Sequence, residues 1–240
     1  MRSNKHLVLI TGGSRGIGLG LVKKFLAEGN EVISISRSLP QNPIENVIYY
    51  PCNLENAESR KQLITTIQQD HPKLSVIVNN AGISFDESSI LENNPAEAFS
   101  MVEVNISAVL DLTLSLLKIL KTQPEAAIVN VSSGLAISPK ASVGTYSATK
   151  AFIRSWSQSL KQNLAHTNIQ VFDIAPPVVD TDMTKNLKEQ GVAVSDLVDD
   201  FWKAWLVNRT YIPIRVVKVL DWIARISPRL AYKIINKAEV

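Results

Sequence analysis

The chain has 240 residues, of which 45% are hydrophobic, and this is enough to bury one sizeable core. Its 25 basic and 22 acidic residues nearly balance, so the composition does not favour a nucleic-acid-binding protein. The only cysteine, Cys52, excludes an internal disulfide and favours a reducing compartment. Gly12 follows the N-terminal apolar run too early for a signal peptide, and no stretch reaches the roughly 20 apolar residues of a membrane span. We therefore expect one domain over 1–240 in a cytoplasmic protein.

Short apolar runs alternate with longer helical patterns along most of the chain. The runs predict six strands, at 7–11, 31–36, 46–51, 74–79, 126–131 and 169–174. The patterns between them predict helices, at 16–29, 56–70, 96–121 and 145–166. Continuous apolar strands that alternate with helices are typical of a parallel sheet covered on both faces. Right-handed crossovers then give the fold class α/β, with a single Rossmann-type doubly wound parallel sheet and helices on both faces.

The last quarter of the chain is less regular. We interpret 176–213 as a region that covers the substrate, with a short edge strand at 209–212. The aromatic residues of "FWKAW" (201–205) are interpreted as core or interface packing, and a wall of the substrate pocket is the alternative. A helical segment follows over 214–237, with a break at Pro228.

The C-terminal segment 214–240 is basic and carries apolar residues near helical spacing. Its six basic and two acidic residues give a charge of +4, whereas the whole chain carries +3. A basic amphipathic helix can lie on an anionic membrane surface. The interpretation that we favour from the sequence is that its apolar face packs on the protein or on a second subunit.

A glycine cluster, "TGGSRGIG" (11–18), ends the first predicted strand and begins the first predicted helix. Gly12, Gly16 and Gly18 lie where small residues let the backbone approach a pyrophosphate, and a helix N-terminus offers N–H groups to it. The spacing is not the strict G-x-G-x-x-G, because Leu21 stands where the third glycine would be. A tight turn without a ligand is the alternative, but the strand–turn–helix setting favours a dinucleotide site.

The end of the second predicted strand indicates which dinucleotide is bound. An acidic residue there would bind the ribose 2′-hydroxyl of NAD. This chain has Ser36 and Arg37 instead, and Arg15 lies in the glycine turn. Two guanidinium groups favour the 2′-phosphate of NADP, although both residues would also be ordinary at a solvated surface.

Tyr146 and Lys150 are one helical turn apart, thirteen residues beyond Ser133 at the end of a predicted strand. Such a pair is common on helices and by itself indicates no chemistry. Here a cation beside the phenol, whose usual pKa is about 10, would favour the phenolate. A serine hydroxyl near the phenol would hold a carbonyl or alcohol oxygen. The three residues together predict a device for proton transfer during hydride chemistry.

These motifs give the chain a clear resemblance to the short-chain dehydrogenase/reductase family. The matching stretches are "TGGSRGIG" (11–18), "NNAG" (79–82), Asn105, Ser133 and "YSATK" (146–150), and the resemblance runs from about 6 to 182 and more loosely to the end. It implies that Tyr146 is the acid/base and that Ser133 orients the substrate oxygen. It also implies that Lys150 binds the nicotinamide ribose and lowers the pKa of Tyr146, and that Asn105 supports a water-linked proton relay.

The same resemblance implies a larger set of cofactor contacts. This set is Gly12, Ser14, Arg15, Gly16, Ile17, Gly18, Ser36, Arg37, Asn53, Leu54, Asn79, Ala81, Gly82, Tyr146, Lys150, Pro176, Val179 and Thr181. The chain departs from the usual family pattern in two places. Asn53-Leu54 replaces the Asp-Val pair near the adenine, and Pro177 replaces a glycine, so that the turn there must differ locally. The stretches 123–136 and 175–183 resemble the DltE-like subgroup of the family.

The sequence therefore predicts an NADP(H)-dependent oxidoreductase that acts on a small carbonyl or alcohol. A non-enzymatic NADP-binding regulator on the same fold is the main alternative, and an epimerase is a weaker one. The predicted helices 96–121 and 145–166 resemble the family's dimer-forming pair, so we expect a homo-oligomer. The histidines His6, His71 and His166 lack metal-ligand spacing, and we expect no metal site.

Overall fold

A seven-stranded parallel sheet runs through the computed structural model, which describes residues 5–89, 92, 94–185 and 190–237. The predicted doubly wound sheet is confirmed, with the strand order β3-β2-β1-β4-β5-β6-β7. The chain reverses its direction of winding between β1 and β4, which is the switch point where such sheets bind ligands. The strands are β1 (Leu7–Thr11), β2 (Glu31–Ser36), β3 (Val47–Pro51), β4 (Leu74–Asn79), β5 (Ala126–Val131), β6 (Ile169–Ala175) and β7 (Tyr211–Pro213).

Helices cover both faces of the sheet. They are α1 (Gly16–Ala27), α2 (Ala57–Asp70), α3 (Pro95–Val102), α4 (Ala108–Thr122), α5 (Gly144–Asn163), α6 (Val194–Leu206), α7 (Val216–Ile226) and α8 (Pro228–Ile235). Side chains alternate across the strands, so that Val8 and Ile10 join the apolar cluster under α1 and α6, whereas Leu9 joins the one under α2, α4 and α5. Burial on both faces explains why the strands read as continuous apolar runs.

The predicted helix over 96–121 is interrupted once. A π-helical turn, Glu103–Ser107, lies between α3 and α4 and contains Asn105. The whole helical stretch Pro95–Thr122 is long and apolar enough to cross a membrane, which corrects our expectation that no stretch is. Leu112 and Leu116 of α4 are buried in the core cluster against the sheet, so part of this apolar stretch packs in the core.

Helix α6 was not predicted from the sequence. Its aromatic residues fill the core, as the packing interpretation of "FWKAW" expected: the Trp205 ring lies 5.6 Å from the Phe25 ring and 5.0 Å from the Phe172 ring. Leu197, Phe201 and Trp205 recur every four residues, and this spacing was a usable signal for the helix. Residues 186–189 of the predicted substrate-covering region lie outside the described residues.

The C-terminal segment follows β7 as two short helices. The edge strand, Tyr211–Pro213, begins two residues later and ends one residue later than predicted. Pro228 separates α7 from α8 and occupies the first turn of α8, where a missing N–H costs little. Ser227 caps α8 by accepting a hydrogen bond from the Leu230 N–H at 3.3 Å.

Candidate active site

A cleft of about 460 Å³ opens at the carboxyl ends of the strands. It brings together most of the residues that the sequence predicted to bind the cofactor or the substrate. The predicted residues that line it are Gly12, Ser14, Arg15, Gly16, Ile17, Ser36, Arg37, Asn53, Leu54, Ala81, Gly82, Ser133, Tyr146, Lys150, Pro176, Val179 and Thr181. Three others, Gly18, Asn79 and Asn105, lie beside or beneath this lining.

The glycine turn after β1 has the backbone shape that the sequence predicted. Gly12 and Gly16 have φ angles of +69° and +54°, in the region that favours glycine. A Cβ atom on Gly18 would lie 2.1 Å from the Gly12 carbonyl oxygen, so Gly18 serves the packing of α1 against the turn. In the described part of the chain no side chain caps the first turn of α1. Its N–H groups therefore suit the phosphate oxygens of a dinucleotide.

The two predicted arginines, Arg15 and Arg37, both line the cleft. Arg15 is exposed and its Nη1 lies 3.3 Å from the Asp182 carboxylate, across the cleft from the turn. Arg37 is exposed on the cleft wall beside Ser36, whose hydroxyl donates to the Ser38 carbonyl at 2.7 Å. Arg37 thus directly follows β2, whereas Arg15 lines the same cleft but pairs with Asp182. The Arg37 position agrees with the charge expected for a 2′-phosphate site.

The reacting end of the cleft is formed by the end of β5 and the first turns of α5. Lys150 is buried and donates from Nζ to the Val131 carbonyl at 2.9 Å. The same Nζ lies 5.6 Å from the centre of the Tyr146 ring. Ser133 is buried, and its hydroxyl accepts a hydrogen bond from the Leu135 N–H at 3.1 Å. Ser133, Tyr146 and Lys150 therefore converge on one end of the cleft, as the spacing predicted.

The charge state of Tyr146 corrects one of our expectations. We expected Lys150 to lower the pKa of this phenol, but burial raises the pKa of Tyr146 to about 12, opposed by a hydrogen bond with Ser133. Burial also lowers the pKa of Lys150 to about 8, opposed by the charge of Asp173. Desolvation thus outweighs the hydrogen bond with Ser133 at Tyr146 and the charge of Asp173 at Lys150. Near neutral pH the phenol keeps its proton and is a donor.

Asn105 holds the loop that follows β4. Its Oδ1 accepts from the Ile83 N–H and its Nδ2 donates to the Ile83 carbonyl, both at 2.9 Å. The Nδ2 also donates to the Thr149 hydroxyl at 3.1 Å. The π-helical turn brings this side chain in from the helix, and π-turns often occur at functional sites. Asn105 thus connects the cleft wall to α5, which carries Tyr146.

Asn79 faces the core rather than the cleft, contrary to its predicted place along the cofactor. Its Nδ2 donates to the Thr113 hydroxyl at 2.9 Å and to Asn130 Oδ1 at 2.8 Å. The next residue, Asn80, lines the cleft and donates from Nδ2 to the Thr11 carbonyl at 2.9 Å. Sequence analysis missed Asn80, although it belongs to the same "NNAG" motif, because the sequence does not show which of the two neighbours turns outward.

Two buried carboxylates near the reacting end also escaped sequence analysis. Glu87 accepts a hydrogen bond from the Thr145 N–H at 2.6 Å, at the beginning of α5. A negative charge is favourable at a helix N-terminus, so Glu87 helps to fix the turn that carries Tyr146. No pattern in the sequence distinguishes Glu87 from the other acidic residues of its loop.

Asp173 on β6 lies behind the reacting end. Burial raises its pKa, and hydrogen bonding with Ser132 and the charges of Arg154 and Lys150 oppose this rise. Arg154 Nη1 lies 3.9 Å from the Asp173 carboxylate, and Arg154 Nη2 lies 2.9 Å from Asp221 of α7. A buried chain of charges therefore links Lys150 to the C-terminal helices.

The departure from the family pattern at Pro177 is local. Pro177 lines the cleft, and the neighbouring Pro176 carbonyl accepts a hydrogen bond from the Gly134 N–H at 2.7 Å.

The residues present suit a dinucleotide rather than a metal ion. Among the described residues, no group of three histidine, cysteine, aspartate or glutamate side chains is placed to hold a metal. The glycine turn, the uncapped start of α1 and the two arginines form a cradle in which added Cβ atoms would meet backbone. These features fit a phosphorylated cofactor.

Comparison with known proteins shows the family to which the chain belongs. The family model for short chain dehydrogenases matches residues 6–191. The uncharacterized oxidoreductase DltE of Bacillus subtilis (strain 168) is 37% identical over 198 residues, which cover 79% of this chain and 78% of that protein. The 3alpha-hydroxysteroid dehydrogenase of Mediterraneibacter gnavus is 30% identical over 200 residues, 79% of each chain.

The fold also matches a solved structure along nearly its whole length. A short chain dehydrogenase from Burkholderia cenocepacia J2315 in complex with NADP superimposes with a TM-score of 0.87 at 22% identity, covering 98% of this chain and 99% of that one. The family match, the relatives and the fold lead to one conclusion: this chain is an oxidoreductase of the short-chain dehydrogenase family.

Proposed function

We propose that this protein is an NADP(H)-dependent oxidoreductase that interconverts a carbonyl compound and its alcohol, with Tyr146 as the acid/base. The observation that carries this proposal is the convergence of Ser133, Tyr146 and Lys150 at one end of a cleft whose other end carries the glycine turn, Arg15 and Arg37. Hydride chemistry requires the two ends to lie in one cleft, because the nicotinamide must reach the substrate carbon while its phosphates stay bound.

The residues of the chain divide the chemistry between them. Bound NADPH would supply the hydride; the protein supplies binding, orientation and a proton. The hydroxyls of Ser133 and Tyr146 hold the carbonyl oxygen, and Tyr146 donates its proton to that oxygen as it gains negative charge. The raised pKa of about 12 keeps this proton on Tyr146 until it is needed, which suits the reducing direction.

The buried ammonium of Lys150 has a complementary role. It is fixed by the Val131 carbonyl and lies beside the phenol, so it stabilises the negative charge that Tyr146 acquires when its proton leaves. In the alcohol-oxidising direction the same phenolate takes the proton back. Lys150 is also placed to hold the nicotinamide ribose, since its Nζ borders the cleft lining.

The proposed preference for NADPH rests on charge at the end of β2. We expect tighter binding of NADPH than of NADH when both are titrated by fluorescence. Arg37→Asp should reverse the order, because a carboxylate repels a 2′-phosphate and accepts a hydrogen bond from a 2′-hydroxyl. Arg209→Asp makes the same charge change at an exposed residue outside the cleft lining and should leave the order unchanged. Equal or tighter binding of NADH by the wild type would contradict the proposed preference for NADPH.

The activity itself is tested by a substrate screen. Ketones and aldehydes are incubated with the protein and NADPH, and the loss of NADPH absorbance is followed. Steroid ketones belong in the panel because a relative with 30% identity is a 3alpha-hydroxysteroid dehydrogenase. We expect turnover of at least one carbonyl class. A protein that binds NADPH but reduces no member of a broad panel would contradict the catalytic proposal and favour a regulator on the same fold.

A further inference from the structure

The two C-terminal helices present an apolar surface to solvent. We name it the α7–α8 surface, and its large apolar side chains are between 41% and 65% exposed. They are Val216, Val219, Trp222 and Ile226 of α7, and Leu230, Tyr232 and Ile234 of α8. The sequence favoured the interpretation that this face packs on the protein or on a second subunit; in the described structure it does not pack on the protein itself.

The orientation of the helices is fixed, so the α7–α8 surface cannot simply turn inward. The opposite side of α7 is already buried: Val217 and Leu220 face the protein, and Asp221 is held by Arg154 at 2.9 Å. At the end of α8, Asn236 accepts from the Ala141 N–H at 2.8 Å and donates to the Pro139 carbonyl at 3.1 Å. Each helix therefore has one side packed on the protein and a second, apolar side that is exposed to solvent.

Basic residues surround this outer face. Residues 214–240 carry +4 and the whole chain carries +3, so residues 1–213 carry −1. The basic side chains are all exposed, and they are Arg215, Lys218, Arg225, Arg229, Lys233 and Lys237. Asp221 lies on the buried side, and Glu239 lies outside the described residues. Arg215 pairs with Asp196 at 3.0 Å and Arg225 with Asp221 at 2.9 Å. The net positive charge of this segment is thus carried mainly by Lys218, Arg229, Lys233 and Lys237.

Charge decides which occupant fits. A second copy docked through the same surface would bring two sets of Lys218, Arg229, Lys233 and Lys237 together, and like charges at close range oppose association. A bilayer with anionic headgroups satisfies both features, because the headgroups attract the basic side chains while the apolar face enters the region between headgroups and acyl chains. Trp222 and Tyr232 are of the residue types that concentrate at this depth.

We propose that the α7–α8 surface is a docking site for an anionic membrane surface, which the protein binds peripherally without spanning it. Val217 of α7 packs within 3.0 Å of where a Cβ on Gly134 would lie, directly after Ser133. Asn236 of α8 holds the loop that precedes α5 and Tyr146. Docking through these helices therefore brings the segments that form the reacting end of the cleft close to the lipid surface.

The test is co-sedimentation of the full-length protein with vesicles. At low salt we expect binding to vesicles that contain phosphatidylglycerol and little binding to pure phosphatidylcholine vesicles. Binding should weaken as salt rises, because salt screens the attraction between the basic residues and the headgroups. An absence of binding to the anionic vesicles at low salt would overturn the proposal, and so would equal binding to both kinds of vesicle.

Matched variants separate this surface from general effects of charge and hydrophobicity. The triple variant Lys218→Glu, Arg229→Glu, Lys233→Glu should lower the partition coefficient at least about 100-fold. Each basic residue near an anionic surface raises this coefficient by a factor of about five to ten. Its control, Lys61→Glu, Lys73→Glu, Lys121→Glu, makes the same charge change on exposed residues elsewhere and should retain most of the binding.

The apolar part of the surface is tested in the same way. Trp222→Asp should lower the partition coefficient at least about ten-fold. Phe99→Asp, at an aromatic residue of α3 that is 71% exposed, should change it little. Each variant is first shown to bind NADPH as the wild type does, so that loss of folding is not mistaken for loss of docking. Equal losses in the surface variants and their controls would overturn the proposal. So would a wild-type oligomer that ignores vesicles and dissociates in Trp222→Asp, because the surface would then join two copies.

Discussion

At the reacting end of the cleft polar side chains are buried, whereas on α7 and α8 apolar side chains are exposed. Lys150 and Ser133 are 5% and 8% exposed, and Trp222 and Val219 are 65% and 59% exposed. Both arrangements cost free energy in the isolated chain, because a buried charge loses its hydration and an exposed apolar face keeps water ordered. Each is therefore expected where a ligand or a surface completes the structure.

The two regions differ in how the missing partner is specified. The cleft is defined by a few polar atoms at fixed distances, such as Lys150 Nζ at 2.9 Å from the Val131 carbonyl. The α7–α8 surface is defined by area and net charge, and its contacts need no exact geometry. Conservative substitutions that keep the character of the side chain should therefore have larger effects in the cleft than on the surface, and the following experiments are ordered from the largest expected effect to the smallest.

The largest effect is expected from Tyr146→Phe. This change removes the transferable proton and keeps the ring, so turnover of a carbonyl substrate should fall by about 10²–10⁴-fold. NADPH binding, measured by fluorescence titration, should change little. Tyr232→Phe makes the same change at an exposed tyrosine of α8 and should leave turnover unaltered. Comparable turnover in the two variants would contradict the proposed role of Tyr146. It would also contradict the expected difference between the cleft and the α7–α8 surface.

A second pair of variants compares two tryptophans from neighbouring helices. Trp205 of α6 is fully buried among the Phe25, Phe172 and Phe201 rings, so Trp205→Ala should lower the free energy of unfolding by about 3–5 kcal/mol. Trp222→Ala of α7 should change it by no more than about 0.5 kcal/mol, because the side chain already faces solvent. Urea unfolding followed by circular dichroism measures both. A large loss of stability in Trp222→Ala would show that this side chain is packed in solution.

The same two tryptophans show where prediction from sequence ends. Both belong to amphipathic patterns, and the spacing of apolar residues does not say whether a face meets the core or the solvent. The cleft was easier to predict, because a dinucleotide restricts which residue types can stand at each position. Glycines fit where the backbone must approach phosphate, and a tyrosine with a lysine one turn later marks α5.

Even in the cleft, the sequence could not supply properties that depend on the surroundings. Asn79 and Asn80 are equivalent in the motif, but one faces Thr113 and the other faces the glycine turn. The direction in which the pKa of Tyr146 shifts depends on how far burial outweighs the hydrogen bond with Ser133, and no local pattern in the sequence contains that balance. Glu87 acts through an N–H group 58 residues away, a contact that only the fold creates.

A smaller effect is expected where the cleft depends on backbone packing. In Gly18→Ala the new Cβ would meet the Gly12 carbonyl oxygen at 2.1 Å, so the glycine turn must shift. We expect the dissociation constant for NADPH to rise at least about ten-fold, because displacements of this size misplace the phosphate-binding groups. Gly29→Ala is the control: its φ of +81° is strained for alanine, but nothing lies within 4 Å of the added atom. If both variants bound NADPH as the wild type does, the turn would not be part of the cofactor site.

The smallest effect is expected at Asp173, where the buried chain of charges joins the cleft to α7. Burial lowers the pKa of Lys150 to about 8, and the charge of Asp173 opposes this fall. The Lys150 ammonium is therefore present below about pH 8 and is lost as the pH rises through that value. Asp173→Asn removes this support. The pKa of Lys150 then falls further, and the alkaline limb of the pH profile of kcat/KM should move to lower pH, with little change in turnover under acidic conditions.

The groups around Asp173 provide the control for this last experiment. Arg154 faces Asp173 at 3.9 Å and stacks on Tyr211, and its other nitrogen binds Asp221 at 2.9 Å. Asp221→Asn removes a carboxylate from the far side of Arg154 and should leave the alkaline limb in place. A limb that moves equally in both variants would mean that charge from the C-terminal helices reaches Lys150 through Arg154. The cleft and the α7–α8 region would then be electrostatically coupled and could not be treated as two independent regions.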